Sequence, residues 1–375
     1  MINNLITKED FYLIFRLFYL FASFIALILA TQLDTKKINL NKISTFFCIV
    51  LAVIICCIVG FRDYEVGTDT INYYNYNWIR NFPPDSKAEL LFYLIIDLVK
   101  RLKGSYTIFL ITISIIFYLF FTCSFKVIAK VFNANLYLIF FAFISFFFAT
   151  SLATNIIRQG LALSILTFAY SLYLSYDSVT KKYFLSKILP LLVISFLIHT
   201  TSIIPILTIL ILIVVKNKLD IKYLFLLYTA GIVLSAANLG ILTVAPFLKE
   251  FMGDDRRMTY LRDSSSTYNV GFKPQFVMFN TLFLVLSIFI KDKISDYKLK
   301  SKYNLSLKYY ILMSFLFFMA FQIPYSDRWG LFSWIIIPIL LTPYFSRSTK
   351  MKLNTVIVLL LITINIFFTL YASIK

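Results

Sequence analysis

Uncharged apolar runs of seventeen or more residues recur along this chain, and each approaches the roughly 20 residues a helix needs to cross a hydrocarbon core. Lipid offers no partner to a backbone N–H or C=O, so such runs allow only bundled helices or a closed β-barrel. A barrel would show alternating polarity with turn signals every ten or so residues, and the runs show neither. With 60% apolar residues and a mean hydropathy of +0.83, the chain reads as an all-α polytopic integral membrane protein.

Apolar segments fall near 11–31, 43–60, 105–125, 135–152, 156–176, 188–215, 222–240, 274–290, 309–325, 329–345 and 353–373. Two depart from a plain span. Residues 89–103 are too short and too charged to cross, but Leu91, Phe92, Ile95, Ile96 and Val99 share one face at helical spacing, which predicts a helix lying in the interface. Residues 188–215 are too long for one span and are interrupted by His199, Thr200, Thr201, Ser202 and Pro205. They predict two short helices in a hairpin with His199 near its tip. The total is about 11–12 transmembrane helices plus the interfacial one. Neither an internal repeat nor a low-complexity linker is visible, so residues 1–375 form one transmembrane domain with large loops near 61–104 and 249–273.

The net charge of +18 does not point to nucleic acid, because the lysines lie in short loops between apolar runs. The loops at 32–42, 126–133, 177–187, 216–222, 291–308 and 346–352 fall on one side if 188–215 makes two passes. They hold twenty Lys and Arg against five acids, which assigns that side to the cytoplasm. On the opposite, outer side bases and acids nearly balance, and every unusual polar cluster lies there. The four cysteines sit inside apolar runs without metal or disulfide spacing and read as packing residues. The first apolar run is too long for a signal peptide and lacks a small-residue cleavage site.

Five clusters can carry chemistry. Gly60–Tyr76 packs Arg62, Asp63, Glu65, Asp69 and four tyrosines, including Tyr73 and Tyr74, into seventeen positions. Gly67 before Thr68 predicts a turn that presents the Asp69 carboxylate; the plain alternative is an ordinary loop. Arg158-Gln159 opens an apolar segment. It reads either as an arginine snorkelling to headgroups or as an anion clamp with planar, bidentate donors, helped by Gln159 and the helix start. His199 is the one histidine; imidazole suits proton transfer, packing is the alternative, and a lone histidine makes a zinc site improbable. Asp327-Arg328 reads as a self-neutralising pair, or as an anion contact flanked by the aromatic rings of Tyr325 and Trp329. The loop 249–273, with Asp254, Asp255, Arg256, Arg257, Arg262 and Asp263, reads as a solvated loop or a lid. A phosphate-cradling glycine loop, a dinucleotide fingerprint and a Ser-His-Asp spacing are all missing. Several arginines, a carboxylate and a histidine on one face suit a lipid-linked phosphate substrate.

In this order the pieces resemble the EpsG family of bacterial exopolysaccharide polymerases, related to the Wzy-type O-antigen and capsule polymerases. The resemblance rests on R-D-Y-E-V-G-T-D-T-I-N-Y-Y, on E-L-L-F-Y-L from Glu89, on I-R-Q-G-L-A, on F-L-I-H-T-T-S and on S-D-R-W. It departs at Leu90, where the family pattern often has proline. The resemblance implies a helical, GT-C-like glycosyltransferase at the outer face of the bacterial cytoplasmic membrane. It would join undecaprenyl-pyrophosphate-linked oligosaccharide repeats, with neither cofactor nor metal required, and with a chain-length regulator as a possible partner. On that reading Arg158, Arg328, Arg62 and Gln159 hold the pyrophosphate, with Asp327 and Glu89 beside the substrate. Asp69 or His199 takes the proton of the attacking hydroxyl, and Tyr73, Tyr74 and Trp78 stack on sugar. A flippase or exporter of the same lipid-linked sugar, a ligase-like transferase and a membrane acyltransferase are the rival readings.

Overall fold

The computed structural model describes residues 6–35, 41–80, 89–215, 218–244, 270–346, 349 and 351–374. Among them all regular structure is helical, and the strand-like pairings are isolated bridges, Ile6 to Arg62 and Ala134 to Ser346. The all-α membrane class holds. The charged residues of the 249–273 loop up to 269 lie outside the described residues.

By contacts the chain divides into two compact units, residues 1–206 with 341–375, and residues 207–340. In the first, α1 (Lys8–Thr35), α2 (Asn41–Gly60) and α5 (Tyr106–Phe132) are long and apolar enough to span a membrane. Between them lie the short α3 (Thr68–Asn72), which runs into a π-helix (Tyr73–Ile79), and α4 (Leu90–Arg101). Then come α6 (Leu136–Ile144), α7 (Phe147–Thr154), α8 (Ile157–Ser175), α9 (Lys181–Tyr183), α10 (Leu189–Ile198) and α11 (Ile203–Val215), the last reaching the boundary of the two units. The second unit holds α12 (Ile221–Ala236), α13 (Ile241–Val244), α14 (Pro274–Lys291), α15 (Tyr297–Met319), α16 (Asp327–Trp334) and most of α17 (Ile337–Leu341). The closing α18 (Asn354–Ile374) belongs to the first unit. Including Pro274–Lys291 and the stretch Asp327–Phe345, five described helices pass as spans, or six if α6 and α7 count as one.

Two expected segments differ in form, and a third is as expected. The run 135–152 is two helices bent by 76° rather than one span. At the bend the Ser145 hydroxyl bonds back to the Phe141 carbonyl at 2.7 Å and takes the Tyr19 hydroxyl at 2.9 Å, while the Asn365 amide caps the Ser145 carbonyl at 3.0 Å. A serine that bonds back one turn competes with the helical ladder and bends it. Much of the lysine-rich 291–308 is helix, not loop. The Asp296 carboxylate accepts the Leu299 N–H at 2.9 Å and so starts α15 early. The segment 188–215 breaks where expected: α10 ends at Ile198, His199 is extended, and one 3-10 turn (Thr200–Ser202) leads into α11.

The amphipathic pattern of 89–103 is realised. Phe92, Ile96 and Val99 of α4 are buried against Phe109, Ile113, Ile165 and Ile198, whereas Leu90, Leu94 and Leu98 face outward. This packing holds Glu89, at the start of α4, beside α8 and α10.

Candidate functional site

Two glycines make the site's backbone possible. Gly67 sits at φ +98°, and a Cβ there would lie 2.4 Å from the Thr154 carbonyl oxygen. The 61–72 loop is therefore pressed against the end of α7 as closely as a backbone can be. Gly67 brings no capping side chain to α3, and Asn155 supplies one from across the gap. Its Oδ1 accepts the Asp69 N–H at 2.9 Å and the Thr68 hydroxyl at 3.1 Å. The Thr70 hydroxyl donates to the Thr154 carbonyl, and the Tyr106 hydroxyl donates to the Thr70 carbonyl at 3.0 Å. Gly160 does the same service for α8, where a Cβ would meet the Leu152 carbonyl oxygen at 2.2 Å.

Helix α10 packs on α8 with the Ser195 hydroxyl 2.9 Å from the Ala162 carbonyl. His199 lies four residues after Ser195, and Arg158 lies four before Ala162. One turn from that contact, the antiparallel pair therefore delivers both side chains to the same end. Glu89 fills the gap between them. Its Oε2 takes the Arg158 guanidinium and its Oε1 takes His199 Nδ1 at 2.7 Å, while the Thr200 N–H donates to the same carboxylate. Arg158 Nε donates to the Tyr73 hydroxyl at 2.8 Å, and the guanidinium lies 5.0 Å from the centre of the Tyr73 ring. The Tyr73 ring rests on Phe92, which packs in turn on Phe109.

The electrostatics follow from this packing. Burial alone would raise the Glu89 carboxyl. The His199 hydrogen bond, the Arg158 charge and the Thr200 N–H outweigh it and hold the group below its ordinary value. An ionised carboxylate only accepts, so His199 Nδ1 carries a proton and donates it to Glu89. The arrangement is a histidine oriented by a carboxylate beside an arginine fixed on two of its donors.

The other expected site residues are placed as follows. Asp69 is partly exposed, one helical turn before Tyr73 and pinned through its backbone to Asn155, three residues before Arg158. Gln159 is 2% exposed, so its side chain is closed to solvent where Arg158 is not. Arg62 is 1% exposed and turned inward, donating to the carbonyls of Val59 and Thr154. It braces the loop and is no part of the Glu89 cluster, because a guanidinium buried there has carbonyls to satisfy. Tyr74 stacks on Tyr64 with ring centres 4.2 Å apart and meets Tyr106 edge-on, and Trp78 also packs on Tyr106. These rings hold one another as a wall. The Thr201 and Ser202 hydroxyls are buried with no hydrogen-bond partner among the described residues, so the group that orients this stretch is the Thr200 backbone. Asp327 and Arg328 open α16 in the second unit, with the Arg328 guanidinium 4.9 Å from the centre of the Tyr325 ring.

Sequence reading did not foresee Lys100. Its ammonium donates to the Asn77 and Trp78 carbonyls at 3.0 and 2.7 Å and so closes the end of the π-helix that carries Tyr73. The signal was there: of the two basic residues that end this amphipathic helix, Lys100 lies one turn after the buried Ile96, on the side of the buried face.

Residues 45–375 match the model of the EpsG family. Neither a curated protein nor a solved structure matches the chain.

Proposed function

This chain belongs to the EpsG family, and from that premise we propose that it is a polysaccharide polymerase acting on undecaprenyl-pyrophosphate-linked oligosaccharide repeats at the outer face of the bacterial cytoplasmic membrane. The observation that carries the reading is the Glu89 carboxylate held between His199 Nδ1 and the Arg158 guanidinium. That is the pairing a glycosyl transfer from a lipid diphosphate requires. The acceptor sugar's hydroxyl gives its proton to His199 Nε2 while its oxygen bonds to the anomeric carbon of the growing chain. The anomeric C–O bond breaks with its electron pair going to the diphosphate, whose new negative charge falls to Arg158. Glu89 stabilises the imidazolium that forms, as a buried carboxylate does behind any histidine base. Fixed cations act most strongly where charge develops in the transition state, which is the source of the rate.

We assign the base to His199 rather than Asp69, because the Glu89 carboxylate 2.7 Å from Nδ1 fixes the orientation of the ring. Asp69, on the same segment as Tyr73, is left to contact the sugar. The test is reconstitution of the purified protein with a lipid-pyrophosphate-linked repeat unit and gel analysis of the product. A ladder spaced by one repeat, lost in Arg158→Ala and in His199→Gln but kept in Asp69→Asn, is the expected result. Transfer of intact substrate across the bilayer without a ladder would replace the enzyme with a flippase.

A further inference from the structure

The π-helix carries Tyr73 at its first position and runs to Ile79. Turns of this kind are rare, usually appear as single-turn insertions, and cluster at functional sites. This one is held at both ends. In front of it, Asn155 Oδ1 takes the Asp69 N–H of α3, and α3 runs straight on into Tyr73. Behind it, the Lys100 ammonium takes the Asn77 and Trp78 carbonyls and lies 5.1 Å from the centre of the Trp78 ring. The last carbonyls of a helix lack partners within it and carry partial negative charge, so a fixed cation there stabilises the end. The next residue, Arg101, pairs instead with Asp97 at 2.8 Å, where both side chains are at least half exposed. Such a surface pair contributes little.

Tyr73 in turn holds Arg158. It is 7% exposed, its ring rests on Phe92, and its hydroxyl accepts Arg158 Nε at 2.8 Å. Glu89 Oε2 takes Nη1 of the same guanidinium. A planar fork held at two nitrogens is fixed in its plane, and the third nitrogen, Nη2, has no hydrogen-bond partner among the described residues. Without the Tyr73 hydroxyl the plane would be free to turn about the Glu89 contact.

We propose that Lys100 is a positioning residue for Arg158. It closes the carbonyl end of the π-helix, which fixes Tyr73, and the Tyr73 hydroxyl sets the guanidinium plane so that Nη2 points at the departing diphosphate. The proposal rests on the polymerase reading for the identity of that anion, and on the geometry alone for the brace. Tyr73 then serves the arginine and not the sugar. Misplacing a catalytic group by about 1 Å costs about 10²-fold in rate, so a residue that never touches substrate acquires a large kinetic effect.

The test uses the full chain in nanodiscs, with Lys100→Met, Lys100→Arg, Tyr73→Phe, the double variant Lys100→Met with Tyr73→Phe, and Arg101→Gln as the control on the same helix end. Hydrogen exchange read by mass spectrometry should show residues 73–79 exchanging faster in Lys100→Met and at the wild-type rate in Arg101→Gln. With a lipid-pyrophosphate-linked repeat unit, kcat of the folded fraction should fall about tenfold or more in Lys100→Met and in Tyr73→Phe, with KM little changed. Lys100→Arg keeps donors for both carbonyls and should stay close to wild type. The double variant should be scarcely slower than the slower single one, since both changes act through one contact. Unchanged kcat in folded Lys100→Met protein would make the contact merely structural and overturn the proposal, as would wild-type exchange at 73–79 or two defects that multiply. Absence of a ladder from the wild-type protein would instead remove the polymerase reading, and the exchange result would still decide the brace.

Discussion

Replacing Glu89 by glutamine is the sharpest perturbation of the site. The carboxylate faces three donors, and the side chains of Glu89, His199 and Arg158 are 10, 17 and 24% exposed, so solvent screens them weakly. Hydrogen bonds to a charged group contribute about 1.5–3 kcal/mol each. Breaking a buried ion pair by removing one partner costs about 3–5 kcal/mol. Glutamine keeps one carbonyl acceptor but turns an amide N–H2 towards a donor, so a destabilisation of about 3 kcal/mol is expected. His199 also loses the partner that fixes its tautomer, and a positioned base contributes about 10²–10⁴-fold to a proton transfer. The assay is thermal unfolding in detergent together with ladder formation by the folded fraction, in Glu89→Gln, His199→Gln and the double variant. If Glu89 acts through the histidine, the double variant is scarcely slower than the slower single one. Wild-type rates in Glu89→Gln, or two defects that simply multiply, would refute the triad.

Other outcomes follow from the same geometry. The stability that Glu89 contributes is present above its ordinary value of about 4.5 and is lost only as pH falls through its lower folded value. The difference in melting temperature between wild type and Glu89→Gln should therefore shrink as pH falls below about 4.5. Gly67→Ala and Gly160→Ala each force a Cβ onto a backbone carbonyl, 2.4 and 2.2 Å away. Each should cost about 2 kcal/mol or more, read as a lower melting temperature and reduced yield of folded protein. Arg62→Ala should lower the melting temperature while the surviving folded protein keeps most of its specific activity, whereas Arg158→Ala, which leaves the Glu89 carboxylate without its cation, should lower both. Equal specific-activity losses in the two would return Arg62 to the substrate.

The membrane class, the interfacial pattern of 89–103 and the break at His199 were legible because each is a property of one segment. Hydrophobic length, face periodicity and a polar interruption need no partner to be read. The Glu89–His199–Arg158 cluster was legible only as three separate residues. What joins them is the α8–α10 register set at Ser195 and Ala162, a contact with a sequence separation of 33 that no local pattern encodes. The inward turn of Arg62 was hidden for the same reason. A charged residue after an apolar run reads as exposed, and only the tertiary structure reveals that the Val59 and Thr154 carbonyls claim it. The bend at Ser145 was hidden likewise, since it depends on Tyr19 and Asn365, each more than a hundred residues away.

The charge balance of the site bears on what Glu89 does for the reaction. Before substrate arrives, Arg158 and Glu89 neutralise one another, which spares the site an unpaired buried charge. During transfer the proton reaches His199 and negative charge grows on the diphosphate. Two cations then face the carboxylate and the leaving group, so the balance is best while bonds are exchanging. Interactions that strengthen only in the transition state raise kcat, whereas uniform binding acts on KM. Glu89→Gln should therefore lower kcat with KM for the lipid-linked donor unchanged or reduced, because an Arg158 released from its carboxylate holds the diphosphate at least as firmly. A raised KM at unchanged kcat would instead make Glu89 a substrate contact, with Arg158 and His199 independent of it.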